Sequence, residues 1–238
     1  MKSTEADTYY FDSLEEASQS LCREVLMEAV RTVKSYGDFR LVLAGGSTPV
    51  RLYEMLATEA GNPGIPWQNI HIFWSDERFL PPYQKNSNFY LASRTLLSKA
   101  PFVAENIHQV PVWESTVREA ARKYDEMLRK YAAGSRPLFD FTLLGMGEDG
   151  HIASLFPGHP VLDDETGLVR AVAESAGQPP VPRVTLTLAG LARSSRICFL
   201  ITGEQKKDVM KKIKDGDWEG IYPAARVRAL DRLEWFAV

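Results

Sequence analysis

Apolar positions along the chain alternate between two periods. In residues 13–34, Leu14, Ala17, Leu21, Val25 and Ala29 recur at helical spacing, which predicts a helix. Ser13 and Glu16 give a capping-box pattern at its start. Residues 40–44 (RLVLA) form a short apolar run that stops at Gly45-Gly46 and predicts a strand. Pro49 suits a first helical turn, and residues 50–57 continue as helix. Residues 70–74 (IHIFW) predict the next strand and residues 88–98 the next helix. Residues 116–131 predict an amphipathic helix, with Val117, Ala120, Ala121, Tyr124, Leu128 and Tyr131 on one side. Residues 139–144 (FDFTLL) predict a strand that runs into Gly145.

The last third repeats the alternation. Residues 168–173 and 183–188 are predicted extended, and residues 189–193 a helical turn. The run 196–202 (RICFLIT) is continuously apolar after its first residue, as in a strand covered on both faces. A helix is predicted over 204–213, and residues 233–238 are expected to add a last edge strand. Two Pro/Gly-rich stretches, 60–68 and 177–183, are short enough to be surface loops. One domain spanning residues 1–238 is therefore expected. The alternation predicts an α/β fold: a mostly parallel sheet with helices on both faces. Ligands of such sheets lie beyond the carboxyl ends of the strands. The residues just after Ala44, Trp74, Leu144 and Thr202 therefore hold the candidate chemistry.

Composition narrows the function classes. The chain has 238 residues, 45% of them hydrophobic and 25% charged, enough for a core without a disulfide or metal staple. The net charge of −3 lacks the basic excess of a nucleic-acid binder. No apolar run approaches the roughly 20 residues of a membrane span. The stretch MKSTEADTYYF shows no signal-peptide pattern, so a cytoplasmic location is expected. Cys22 and Cys198 lie far apart in apolar surroundings and are expected to be reduced core residues. No metal-ligand spacing occurs.

Four strand ends carry unusual residues. After the first strand, Gly45, Gly46, Ser47 and Thr48 offer bare backbone and hydroxyls at a helix start, the chemistry of an anion site or simply of a turn with its cap. After the second come Ser75, Asp76, Glu77 and Arg78; the guanidinium can grip a phosphate or carboxylate, and the alternative is a solvated loop with an internal ion pair. After Leu144 runs Gly-Met-Gly-Glu-Asp-Gly-His (145–151). His151 suits proton transfer near neutral pH, and Asp149 two residues before it can fix its tautomer. Arg183 and Lys206 open the last elements as further cations. Together these groups suit a small phosphorylated metabolite.

The segments LAGGSTP (43–49), FWSDER (73–78), NSNF (86–89), LLGMGEDGHIASLFPG (143–158) and ITGEQK (201–206) occur in the order found in the 6-phosphogluconolactonases, which this chain resembles. The resemblance implies a Rossmann-like sheet shared with glucosamine-6-phosphate deaminase and ribose-5-phosphate isomerase. It implies hydrolysis of 6-phospho-D-glucono-1,5-lactone to 6-phosphogluconate, in the oxidative pentose phosphate pathway, without cofactor or metal. By carry-over His151 is the base; Asp149 and Arg78 complete the catalytic set. Gly45, Gly46, Ser47, Asp76, Arg183 and Lys206 bind the substrate and its phosphate. The only expected partner is that small molecule, and the chain is expected to be a monomer or small homo-oligomer. The related deaminases follow their loop with Asn-Glu-Pro, whereas Leu155-Phe156-Pro157 stands here, so the acid is missing. Two alternatives stay open at this point: a deaminase or sugar-phosphate isomerase, and a non-catalytic sugar-phosphate sensor.

Overall fold

The computed structural model describes residues 6–134, 136–174, 177–217 and 221–238. Residues 1–5, part of the stretch inspected for a signal pattern, lie outside them. The chain opens with β1 (Asp7–Tyr10), α1 (Leu14–Tyr36), β2 (Phe39–Leu43), α2 (Val50–Thr58) and β3 (Ile70–Trp74). Then come β4 (Asp76–Arg78), α3 (Asn88–Ala92), α4 (Val117–Tyr131) and β5 (Phe139–Leu144). The last third supplies β6 (Val169–Val172), β7 (Arg183–Leu186), α5 (Leu188–Leu191), β8 (Ser194–Ile201), α6 (Glu204–Lys214) and β9 (Arg232–Ala237).

Six strands form one parallel sheet in the order β1-β9-β8-β5-β2-β3. The expected mostly parallel α/β architecture is the one observed. Every residue of central β5 is buried, and β8 is buried at all but one position, as strands sandwiched on both faces must be. Helix α1 begins as the pattern implies, with the Ser13 hydroxyl accepting the Glu16 N–H at 3.2 Å. It ends at Gly37, whose φ of +89° is the left-handed closure that glycine tolerates. Its buried stripe, including Ala17, Leu21, Val25 and Ala29, faces β2, β5 and β9. Both cysteines are free and buried. No helix among the described residues is long and apolar enough to cross a membrane.

The structure corrects three expectations. The final strand is not an edge: β9 lies between β8 and β1, and β1 takes the edge. Four residues with mostly exposed side chains gave β1 no readable alternation. The charged segment after β3 is not a solvated loop, because Asp76–Arg78 is strand β4, antiparallel to β7 in a second sheet of order β4-β7-β6. Arg183 therefore belongs to this small sheet and reaches the strand ends of the large one from the side. Residues 88–98 do coil, but the α-helical turn ends at Ala92 and Ser93–Leu97 continues as π-helix.

Candidate active site

Two buried tyrosines define where the large sheet stops and the loops begin. Tyr53 of α2 accepts the Ala44 N–H at 3.0 Å and donates to the Ala44 carbonyl at 2.7 Å. Tyr124 of α4 does the same for Trp74, at 3.0 and 3.3 Å. Each hydroxyl thus satisfies both backbone groups of a residue at the end of its strand, just before the chain turns at Gly45 and Ser75.

The loop after β5 is folded tightly around His151. The Gly147 N–H donates to the His151 carbonyl at 2.9 Å, and the Gly150 N–H to the Gly147 carbonyl at 3.0 Å. Gly150 takes φ +75° to close this turn. Asp149 Oδ1 accepts both the His151 backbone N–H (3.1 Å) and His151 Nδ1 (2.6 Å). The Nδ1 proton is thereby fixed, and Nε2 is left with its lone pair. A Cβ at Gly147 would lie 2.1 Å from His151 Nδ1, so only glycine lets the imidazole fold back onto the loop. The ring leans on Phe156 at a centroid distance of 4.8 Å and keeps about a third of its side chain (31%) open to solvent.

Strand β4 divides its three charges. Glu77 faces the interior and accepts from the N–H groups of Arg78, Asn88 and Phe89 and from the Ser87 hydroxyl. Burial pushes its pKa up, against the pull of those donors. Glu77 thus anchors the start of α3 and stays out of the cleft. Asp76 Oδ2 accepts the Ser154 hydroxyl at 2.6 Å and lies 3.8 Å from Arg183 Nη1, while Oδ1 accepts the Asn88 amide at 3.1 Å. Arg183 is 3% exposed, and burial pulls its pKa below the ordinary arginine value. Its Nη2 donates to the carbonyls of Gln178 and Pro179, and its planar group lies 5.8 Å from the Phe156 ring centre. Arg78 donates through Nη1 to the Asn86 carbonyl at 2.7 Å. The Nε atoms of both arginines are buried and meet no partner among the described residues.

Gly45 is pressed against the Asn88 side chain: a Cβ there would come within 2.1 Å of Oδ1. Gly46 turns at φ +87°, and the N–H groups of Gly46, Ser47 and Thr48 meet no acceptor among the described residues. They belong to the turn that leads into α2, near the positive end of the helix. Lys206 lies in the first turn of α6, after Gly203 at φ +96°. Its neighbour Gln205, with the amide turned to satisfy both groups, donates to the two Glu148 oxygens at 2.8 and 2.9 Å and ties α6 to the His151 loop.

All these loops open on one cleft of about 590 Å³. Gly45, Gly46, Ser47, Asp76, Arg78, Asp149, His151, Arg183 and Lys206 all line it, so the structure brings every candidate residue together. Phe156, Gln178 and Met146 also line it. Asn88 and Ser154 fix Asp76 from behind; both fall inside the segments that carry the resemblance, but no single-residue signal gave them this role. Tyr53 and Tyr124 had no signal beyond their place on apolar helix faces. His71, His108 and His159 stand elsewhere: the first two share a contact of 3.0 Å, and His159 Nδ1 accepts the Val161 N–H. Among the described residues no group of three His, Cys, Asp or Glu side chains could hold a metal ion. The cleft thus joins an oriented imidazole to three cations, of which Arg183 is buried, and this is chemistry for moving a proton on an anionic substrate.

The chain is 38% identical over 201 residues to the 6-phosphogluconolactonase of Thermotoga maritima, covering 82% of each protein. To the 6-phosphogluconolactonase of a Nostoc species it is 33% identical over 215 residues, 89% of this chain and 86% of that one. The crystal structure of the Thermotoga maritima 6-phosphogluconolactonase superposes with a TM-score of 0.85 over 98% of this chain and 99% of that chain, at 32% identity. The family model described as glucosamine-6-phosphate isomerases/6-phosphogluconolactonase matches residues 12–235. On these grounds, and with this cleft at its strand ends, the chain belongs to the glucosamine-6-phosphate isomerase/6-phosphogluconolactonase family.

Proposed function

We propose that the protein hydrolyses 6-phospho-D-glucono-1,5-lactone to 6-phosphogluconate. The observation that carries this reading is the Asp149–His151 contact of 2.6 Å in the cleft that also holds Arg183 and Lys206. Arg183, Lys206, the Ser47 hydroxyl and the free N–H groups at the start of α2 take the phosphate. Asp76 touches no phosphate in this reading; it holds the Arg183 guanidinium. The Nostoc and Thermotoga maritima relatives are 6-phosphogluconolactonases, which agrees with this substrate.

The reaction then runs as follows. His151 Nε2 takes a proton from water as the water oxygen bonds to the lactone carbonyl carbon. The carbonyl π electrons move to its oxygen, and Arg78 or a loop N–H stabilises that charge. When the oxyanion collapses, the bond from the carbonyl carbon to the ring oxygen breaks. The ring oxygen takes the proton held by His151, and the new carboxylic acid loses its own proton to solvent. Asp149 keeps the imidazole in the productive tautomer throughout. A positioned base supplies roughly 10²–10⁴-fold and an oxyanion donor roughly 10²–10³-fold, sufficient for an ester that already hydrolyses readily in water.

Phe156 favours this reading over deamination. It fills the space beside the imidazole with an apolar ring, so no carboxylate stands there to assist ring opening and isomerisation of an amino sugar. The test follows the disappearance of the freshly made lactone and the appearance of 6-phosphogluconate, with and without the protein. The expected result is catalysed hydrolysis that His151→Ala reduces by the general-base factor. Ammonia release from glucosamine 6-phosphate, with no effect on the lactone, would overturn the assignment.

A further inference from the structure

The segment that leads into β9 closes onto the back of the His151 loop, 71 positions further along the chain. The Tyr222 ring lies directly against Gly150: a Cβ built there would meet Tyr222 Cδ1, Cβ and Cγ at 2.6, 2.8 and 2.9 Å. Two residues on, the Ala224 N–H donates to the Gly150 carbonyl at 3.1 Å. The peptide joining Gly150 to His151 is therefore held at both polar groups. Its carbonyl accepts from Ala224, and its N–H donates to Asp149 Oδ1. The turn itself depends on the Gly150 backbone angles, whose N–H side is tied only to the Gly147 carbonyl of the same loop. Glycine at φ +75° has more alternatives than any other residue, and the Tyr222 ring occupies the space that a turn of the backbone would need.

The clamp is itself rigid. Tyr222 precedes Pro223, which confines it to the extended region, and it adopts φ −91° and ψ 115°. Pro223, Ala224 and Ala225 are buried in a short 3₁₀ turn, and Arg226 ties the end of that turn to the Leu162 carbonyl and to Asp163. Tyr222 does not line the cleft, so it acts on the chemistry through His151 alone.

We propose that Tyr222 is a positioning residue whose ring locks the Gly150 turn and so holds His151 Nδ1 on Asp149. The inference rests on the reading of His151 as the base, but its test has an arm that does not. Tyr222→Ala and Tyr222→Phe are compared with the native chain in lactone hydrolysis, in binding of 6-phosphogluconate by calorimetry, in thermal melting, and in ring-nitrogen NMR of ¹⁵N-histidine-labelled protein. Misplacing a reacting group by about 1 Å costs on the order of 10²-fold, so kcat of Tyr222→Ala should fall by roughly that factor with KM nearly constant. Product affinity should hold, because the phosphate groups do not touch the clamp. The His151 ring should move from a single Nδ1–H tautomer to a mixture. Tyr222→Phe, which keeps the ring, should restore both readouts.

Native kcat and an unchanged tautomer in Tyr222→Ala would overturn the proposal. So would equal damage in Tyr222→Phe, or a parallel loss of product affinity and melting temperature that marks general unfolding. If the native chain lacks lactonase activity, the proposed function fails, and the tautomer comparison still decides the role of Tyr222.

Discussion

Arg78 and Arg183 stand directly opposite one another across the antiparallel β4–β7 ladder. Like charges in that relation repel. Among the described residues neither buried Nε–H meets an acceptor, and an unpaired buried donor costs stability. Asp76 faces Arg183 at the long distance of 3.8 Å. In the proposed function, the substrate phosphate would supply the opposite charge and the acceptors, and its binding would relieve the repulsion between the two arginines.

Separate kinetic signatures follow for the two arginines. Hydrogen bonds to charged groups contribute about 1.5–3 kcal/mol, so Arg183→Ala should raise KM by roughly 10- to 100-fold with kcat near native. Arg78→Ala, if it removes the oxyanion donor, should lower kcat by roughly 10²–10³-fold instead. Inorganic phosphate should raise the melting temperature of the native protein and leave that of Arg183→Ala nearly unmoved. Steady-state kinetics and a phosphate titration of thermal melting check all three.

Gly147→Ala should sharply reduce turnover without replacing a charged residue. The new methyl would sit 2.1 Å from His151 Nδ1 and 2.6 Å from Asp149 Oδ1, in the space where the two meet. Since one or both side chains must move, kcat should fall at least as far as the roughly 10²-fold of a displaced base. Affinity for 6-phosphogluconate, measured by calorimetry, should survive.

Tyr53→Phe should destabilise the fold more than the loss of one oxygen suggests. The missing hydroxyl leaves both the N–H and the carbonyl of buried Ala44 unpaired. Orphaned buried groups cost about 1–3 kcal/mol each, and a chain of this size loses about 2–4 °C per kcal/mol. A fall of roughly 4 °C or more in melting temperature is expected. A variant that melts with the native protein would show that water takes the place of the hydroxyl.

These cases mark how far the sequence reaches. Strands with continuous apolar runs, such as β5 and β8, and the glycine-rich turns after them were legible because period and punctuation are local properties. So was the gathering of the cleft, since parallel strands bring their carboxyl ends to one edge. Strand β4 was not legible. Three consecutive charges contradict any local strand pattern, and their burial depends on Ser87, Asn88, Ser154 and Arg183, which lie 10 or more positions away. The tyrosines at positions 53 and 124 escaped for the same reason. Helical spacing marks a side chain as buried but says nothing of which backbone group its hydroxyl or ring will meet.

The amino-terminal edge of the sheet, far from the cleft in the strand direction, predicts how the protein responds to acid. His71 and His108 lie nearly parallel, 14° between planes, with Nδ1 and Nε2 3.0 Å apart, and the Tyr131 hydroxyl is 3.0 Å from the same Nε2. Two imidazoles in this contact share one proton; a proton on each facing nitrogen would set two N–H groups against one another. Burial, the like charge of the partner ring and nearby Arg40 push the His108 pKa down to about 4, and burial lowers that of His71 as well. In the unfolded chain both return to an ordinary value of about 6.5. Below that pH the unfolded state binds protons that the folded state refuses, so stability falls as pH drops from about 6.5 toward 4 and is flat above this window. His108→Phe removes one of the two titrating groups and keeps an aromatic ring stacked on Phe73, whose centre is 4.5 Å from that of His108. Melting temperatures of the native and variant proteins between pH 7.5 and 4.5 should therefore diverge, with the steeper decline in the native chain. Parallel declines would place the acid sensitivity elsewhere.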